Sequence, residues 1–110
     1  MNKPKTVRMK ERVNSLIKDI HGRVFPADKL IIFGSFVRGD VKERSDLDIC
    51  VVADIELSIK EKRELENYFY TAVGQELCID FLYCDRDRLA NGDQVFESIR
   101  REGRVLYERL

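Results

Sequence analysis

The sequence holds one histidine in 110 residues, and that scarcity leaves Ser-His and Cys-His nucleophilic mechanisms without a base. His21 itself precedes Gly22, where a first helix is expected to end, which suits a C-terminal cap. The three cysteines, Cys50, Cys78 and Cys84, are odd in number, lack CxxC spacing and lie in or beside apolar runs. They read as reduced, mostly buried residues rather than zinc ligands. Net charge is missing as well: 20 Lys plus Arg balance 20 Asp plus Glu, so no global positive field supports general nucleic-acid binding or attraction to an anionic membrane. No apolar stretch reaches the roughly 18 residues of a membrane span, and the N-terminal MNKPKTVRMKERV has no apolar signal-peptide core. A soluble, cytoplasmic chain is the expectation. The absence of GxxxxGK rules out a Walker loop, and no dinucleotide fingerprint is present.

At this length one modest core and a single domain, 1–110, are expected. The 36 % of charged residues point to a heavily solvated surface. In VRMKERVNSLIKDIHG, Val13, Leu16, Ile17 and Ile20 follow helical spacing and Gly22 supplies a stop. LIIF, residues 30–33, is short and continuously apolar, as a strand covered on both faces is. LDICVVA, 47–53, reads as a second strand and LCIDFLYC, 77–84, as a third. Between them, Ser58 and Glu61 form a capping-box pattern ahead of a stripe of Leu65, Tyr68, Phe69, Ala72 and Val73 that ends at Gly74. Asp93 is a candidate cap for a last helix bearing Val95, Phe96 and Ile99, and Gly103 closes it before RVLY. This order predicts an α/β or α+β sandwich: a small mixed sheet packed with helices.

The chemistry concentrates in GSFVRGDVKERSDLDICV, residues 34–51. Side chains alternate along a strand, so Asp46 and Asp48 share a face, with roots roughly 6 to 7 Å apart. Like charges at that spacing repel and raise one pKa unless a cation intervenes, and Mg²⁺ is the obvious cation. Asp80 interrupts an apolar strand, where a buried, unpaired carboxylate is costly and calls for a partner. If the second and third strands are neighbours, Asp46, Asp48 and Asp80 can together hold two Mg²⁺ ions about 4 Å apart. Gly34 lets an anion approach the backbone, and a helix starting at Ser35 aims free N–H groups at it.

Gly-Ser, ten residues, Asp-x-Asp, and a third aspartate in a later strand together resemble the signature of the polymerase-β-like nucleotidyltransferase superfamily, and the short chain resembles its minimal branch. The resemblance runs from the first helix through LIIFGSFVRGD, SDLDICV and the acidic strand to IRREGRVLYE. It implies the polymerase-β-like fold, Mg²⁺ ligation by Asp46, Asp48 and Asp80, and triphosphate binding by Gly34 and Ser35. Arg38 and Ser45 fit the branch's pattern too and join the nucleotide-binding candidates. Arg38 reads either as a phosphate contact or as a loop-shaping ion pair with Asp40 or Glu43. Ser45 reads as a turn-stabilising hydroxyl more readily than as a catalyst.

The reaction implied by the resemblance is transfer of a nucleoside monophosphate, AMP from ATP, to an acceptor hydroxyl. Larger relatives carry an added acceptor domain, so the acceptor here is expected to bind across an oligomer interface or to be a protein that docks. The minimal branch resembles antitoxins paired with HEPN-domain ribonuclease toxins, which implies adenylylation of a toxin tyrosine. Two alternatives stand beside that reading: a binding module that neutralises the toxin by occlusion, and transfer to a small molecule such as an aminoglycoside.

Overall fold

A computed structural model of the chain describes residues 3–110. The elements run α1 (Lys5–Asp19), β1 (Lys29–Phe33), α2 (Ser35–Arg38), β2 (Leu47–Val52), α3 (Ile59–Val73), β3 (Ile79–Cys84), α4 (Arg86–Asn91), α5 (Val95–Glu102) and β4 (Arg104–Glu108). The strands form one mixed sheet in the order β3-β2-β1-β4. β1 pairs antiparallel with β2 and β4, while β2 and β3 run parallel. A parallel pair needs a crossover connection, and α3 is that crossover.

The expected α+β sandwich is what forms. One face of the sheet presents Leu30, Ile32, Leu47, Ile49, Val51 and Ile79 to Met9, Val13 and Leu16 of α1 and to Leu65, Phe69 and Val73 of α3, in one buried cluster. The opposite face carries a smaller cluster, Ile31, Cys50 and Val52 under Phe96 and Ile99 of α5, with Leu89 of α4 at its margin. β1 and β2 are therefore covered on both sides, which explains their unbroken apolar runs. The capping box of α3 is complete: the Ser58 hydroxyl accepts from the Glu61 N–H at 3.1 Å, and the Ser58 N–H donates to Glu61 Oε1 at 2.9 Å. Among the described residues no helix is long and apolar enough to cross a membrane.

Four local expectations are corrected. The third strand begins at Ile79, so Leu77 and Cys78 precede it. Cys78 is exposed, Cys84 half-buried and only Cys50 fully buried, its Sγ 3.6 Å from that of Cys84. Asp93 does not cap α5 through its side chain; Gln94 holds the N-cap position at φ 53°. The extra helix α4 lies within a stretch of charged residues without an apolar stripe, and its cap is Asp85, whose carboxylate accepts from the Arg88 N–H at 2.7 Å.

Ser58→Ala removes one half of the capping box and is expected to cost about 1 kcal/mol. The loss is measured as a lower urea midpoint with an unchanged slope; an unchanged midpoint would show that packing of Leu65, Phe69 and Val73 alone sets the start of α3.

Candidate active site

The parallel register of β2 and β3 sets Asp48 opposite Asp80, and the antiparallel register of β1 and β2 sets Phe33, the last residue of β1, opposite Asp48. The neighbour relation expected for the acidic strands is present. Asp46 stands one residue before β2. With period two, Asp48 shares a face with Cys50 and Val52, and Asp80 with Leu82 and Cys84. That is the face α4 and α5 cover. The apolar cover occupies the later part of each strand, and the carboxylates lie at the start of β2 and β3, beside the end of β1.

The turn after β1 belongs to the same place. Gly34 has φ 81° and ψ −153°, a backbone state open to glycine and few other residues. A Cβ built on it would meet Asp48 Oδ2 at 2.1 Å. Glycine is therefore required twice, once by the torsion and once by the carboxylate lying over its Cα. One turn of helix follows, with the Val37 and Arg38 N–H groups donating to Gly34 O and the Gly39 and Asp40 N–H groups to Ser35 O. The amides of Ser35 and Phe36 stand at the open start of that helix, outside its ladder. Gly39 closes it in the left-handed region at φ 86°.

The carboxylates differ in their surroundings. Asp48 is half-buried, whereas Asp46 and Asp80 are exposed. Burial first, then the charges of Asp80 and Asp46, push the Asp48 carboxyl up to about 6, with the Arg38 charge pulling the other way. The expectation of a buried Asp80 is corrected: β3 is an edge strand, and Asp80 faces solvent beside the more sheltered Asp48. Among the described residues no group of three His, Cys, Asp or Glu side chains is already drawn together at metal-holding distance. Even so, the donor chemistry fits a hard divalent cation: all-oxygen ligands on adjoining backbone positions, with a mutual repulsion that a cation would relieve.

Arg38 forms ion pairs, Nε to Asp40 Oδ2 at 3.5 Å and Nη1 to Glu102 Oε2 at 3.4 Å. Asp40 was an expected partner; Glu43 is replaced by Glu102, which the chain brings from the end of α5. The Ser45 hydroxyl accepts from the Lys42 N–H at 2.8 Å, and the Ser45 N–H donates to Lys42 O at 3.0 Å. Those bonds tie off the loop just before Asp46. Sequence reasoning missed Glu102; only its place in IRREG, at a helix end before Gly103, marks it.

The raised pKa of Asp48 makes a prediction for the protein without divalent cations. Its folded value, about 6, lies above the ordinary 3.8, so the folded state binds the proton more tightly. Stability from that difference is present below about pH 4 and is lost as pH rises through 6. Asp48→Asn removes the charge and is expected to raise the melting temperature at pH 7 to 8, the gain vanishing near pH 4. A gain that is equal at both pH values would contradict the electrostatic cause.

Comparison with known proteins gives the family and the fold. The nucleotidyltransferase domain family matches residues 10–107. Over 56 residues the chain is 45 % identical to MJ0604 and 32 % identical to MJ0141, two Methanocaldococcus jannaschii proteins whose names give them, provisionally, as protein adenylyltransferases. Each match takes in 51 % of this chain and 51 % or 50 % of the relative, so the chain spans about half the length of the curated relatives it matches. Among solved structures, a toxin-antitoxin with AMP-PNP superposes with a TM-score of 0.55 at 21 % identity, over 91 % of this chain and 73 % of the other. A mutant of the toxin-antitoxin MntA-HpeT gives 0.53 at 19 %, with the same coverage. At such identities the likeness is one of fold. With the family match reaching from α1 into β4, the chain belongs to the nucleotidyltransferase domain family.

Proposed function

We propose that this chain, as a single minimal nucleotidyltransferase domain, transfers AMP from ATP to a hydroxyl of a protein acceptor, a tyrosine of a HEPN-domain toxin, and so acts as its antitoxin. The observation that carries the reading is the register of Asp48 opposite Asp80, with Asp46 just ahead and the Gly34 turn against Asp48. The names of the M. jannaschii relatives and the toxin-antitoxin complexes among the structural neighbours support a protein acceptor.

In this mechanism Asp46, Asp48 and Asp80 would hold Mg²⁺, as two ions. Bound there, Mg²⁺ would supply Lewis acidity toward the acceptor hydroxyl and countercharge for the triphosphate. The Ser35 hydroxyl and the first amides of α2 bind phosphate oxygens, a use of helix-start N–H groups that glycine at position 34 leaves accessible. Arg38 adds a forked cation that matches phosphate geometry. Ser45 holds the loop that delivers Asp46 beside the nucleotide. Asp80, exposed on the edge strand, is the carboxylate the acceptor reaches first and the one placed to take its proton. Asp48, flanked by strands on both sides and half-buried, would be the most sheltered of the three ligands. No protein nucleophile takes part, in keeping with the single histidine.

The test is transfer of label from α-³²P-ATP with Mg²⁺ onto the product of the adjacent gene, comparing native protein with Asp48→Asn. Label on a tyrosine of that protein, lost with the variant, is the expected result. Tight binding without label would mean that the chain works by occlusion, and label on an added aminoglycoside alone would move the acceptor to a small molecule.

A further inference from the structure

The two edges of the sheet are guarded differently. β4, at one edge, is broken by a register shift opposite Leu30 and Ile31 and carries the exposed charges of Arg104 and Glu108. Bulges and charges of that kind keep an edge from pairing further. β3, at the other edge, keeps one unbroken register with β2 over Ile79–Cys84. Its sequence, IDFLYC, has no proline and no basic residue, and its one charge is Asp80 of the acid group. Such a strand is a template for another.

The hydrogen bonds show which backbone groups this edge offers. The Leu47 N–H donates to Cys78 O at 2.9 Å, and the Ala53 N–H to Cys84 O at 2.8 Å. Because the register between them is continuous, the amides and carbonyls of Asp80, Leu82 and Cys84 turn toward β2, and those of Ile79, Phe81 and Tyr83 turn outward. The Tyr70 hydroxyl of α3 marks the same direction, donating to Ile79 O at 3.4 Å. Among the described residues the Phe81 and Tyr83 amides have no hydrogen-bond partner. Beside them on the α3 side stand Tyr70, 44 % exposed, its ring 6.0 Å from that of Phe81, and the Tyr83 ring under the Lys62 ammonium at 4.8 Å. Asp80 is exposed on the opposite side.

We propose that the outer edge of β3 is the docking site for an extended segment of the protein acceptor, which adds to the sheet as a further strand. The proposal rests on the acceptor class proposed above and says how that acceptor is held. Continuity with the acid group favours this occupant. A residue beside Asp80 on the added strand sends its side chain to the acid face, its backbone about 4.8 Å from that of Asp80. A hydroxyl side chain at that place projects toward the carboxylates, while its neighbours meet the rings of Tyr70 and Phe81. Main-chain bonds then give affinity and alternate side chains give selection. A second copy of this chain fits less well. The two-fold antiparallel pairing that engages all the outward residues is centred on Phe81, and it sets Asp80 roughly 8 Å from Asp80 of the copy by strand spacing and rise. Two acid groups are then within one screening length of each other.

Backbone amide exchange of the ¹⁵N-labelled chain, followed by nuclear magnetic resonance, tests the proposal with the product of the adjacent gene as probe. In the free chain the Phe81 and Tyr83 amides are expected to exchange much faster than those of Leu82 and Cys84. With the gene product bound they slow roughly tenfold or more, as paired edge amides do. A bound gene product that leaves both amides fast would overturn the docking site. Slowing that appears when the chain alone is concentrated would give the edge to a second copy and overturn it equally. Failure of the gene product to bind at all would remove the acceptor class and the docking site together. Protection without transfer of label would uphold the edge and count against the transfer reading alone. Two variants isolate one amide: Tyr83→Pro deletes an outward N–H, and Tyr83→Val loses the same ring but keeps it. Proline is expected to weaken gene-product binding about fivefold relative to valine, the worth of roughly one hydrogen bond, with native circular dichroism in both. Equal binding by two folded variants would contradict the proposal, and the exchange measurement on native protein decides it if the proline variant does not fold.

Discussion

The site depends on the close approach of the Asp48 carboxylate to the Cα of Gly34. That contact joins the end of β1 to the start of β2 without an intervening side chain. It also sets a half-desolvated anion beside the turn whose first amides are free of the helix ladder. Everything else at this end of the sheet serves or answers that anion. Asp80 is placed opposite it by the parallel register, Asp46 precedes it in the chain, and both raise its proton affinity. A carboxyl whose charge is disfavoured by burial and by neighbouring acids is one that a nearby cation would stabilise.

The remaining architecture positions this arrangement by covering the sheet unequally. α1 and α3 seal one face along its length. On the other, α5 packs over Ile31, Cys50 and Val52, and the acids lie beyond this cover. The open end is thus the part of the face that the short C-terminal helices do not cover. The same helices supply Glu102, so the element that limits the apolar cover also reaches the rim of the acidic site. β3, at the sheet edge, gives Asp80 its exposure.

Much of this was legible in the residues. The Gly34-Ser35 turn and the Ser58-Glu61 box each encode a local geometry, because turns and helix caps depend on near neighbours, whereas Asp46 falls just ahead of β2, outside the strand alternation that its spacing from Asp48 suggested. Asp80 was found for the right strand and the wrong reason: its run looked buried, but whether a strand is central or at an edge depends on pairing partners distant in sequence. Glu102 was missed on the same ground, since its pair with Arg38 joins residues 64 positions apart. α4, a charged turn capped by Asp85, has no apolar stripe to reveal it. Gln94 takes a positive φ that its sequence does not suggest.

The most direct test of the account is a crystal structure of the chain with Mn²⁺ and a non-hydrolysable ATP analogue, read through the anomalous signal of the metal. Anomalous peaks bounded by Asp46, Asp48 and Asp80, with the triphosphate along the Gly34-Ser35 turn, are the predicted result. Ordered nucleotide elsewhere on the chain, or a triphosphate at the turn with no metal between it and the three carboxylates, would contradict the account.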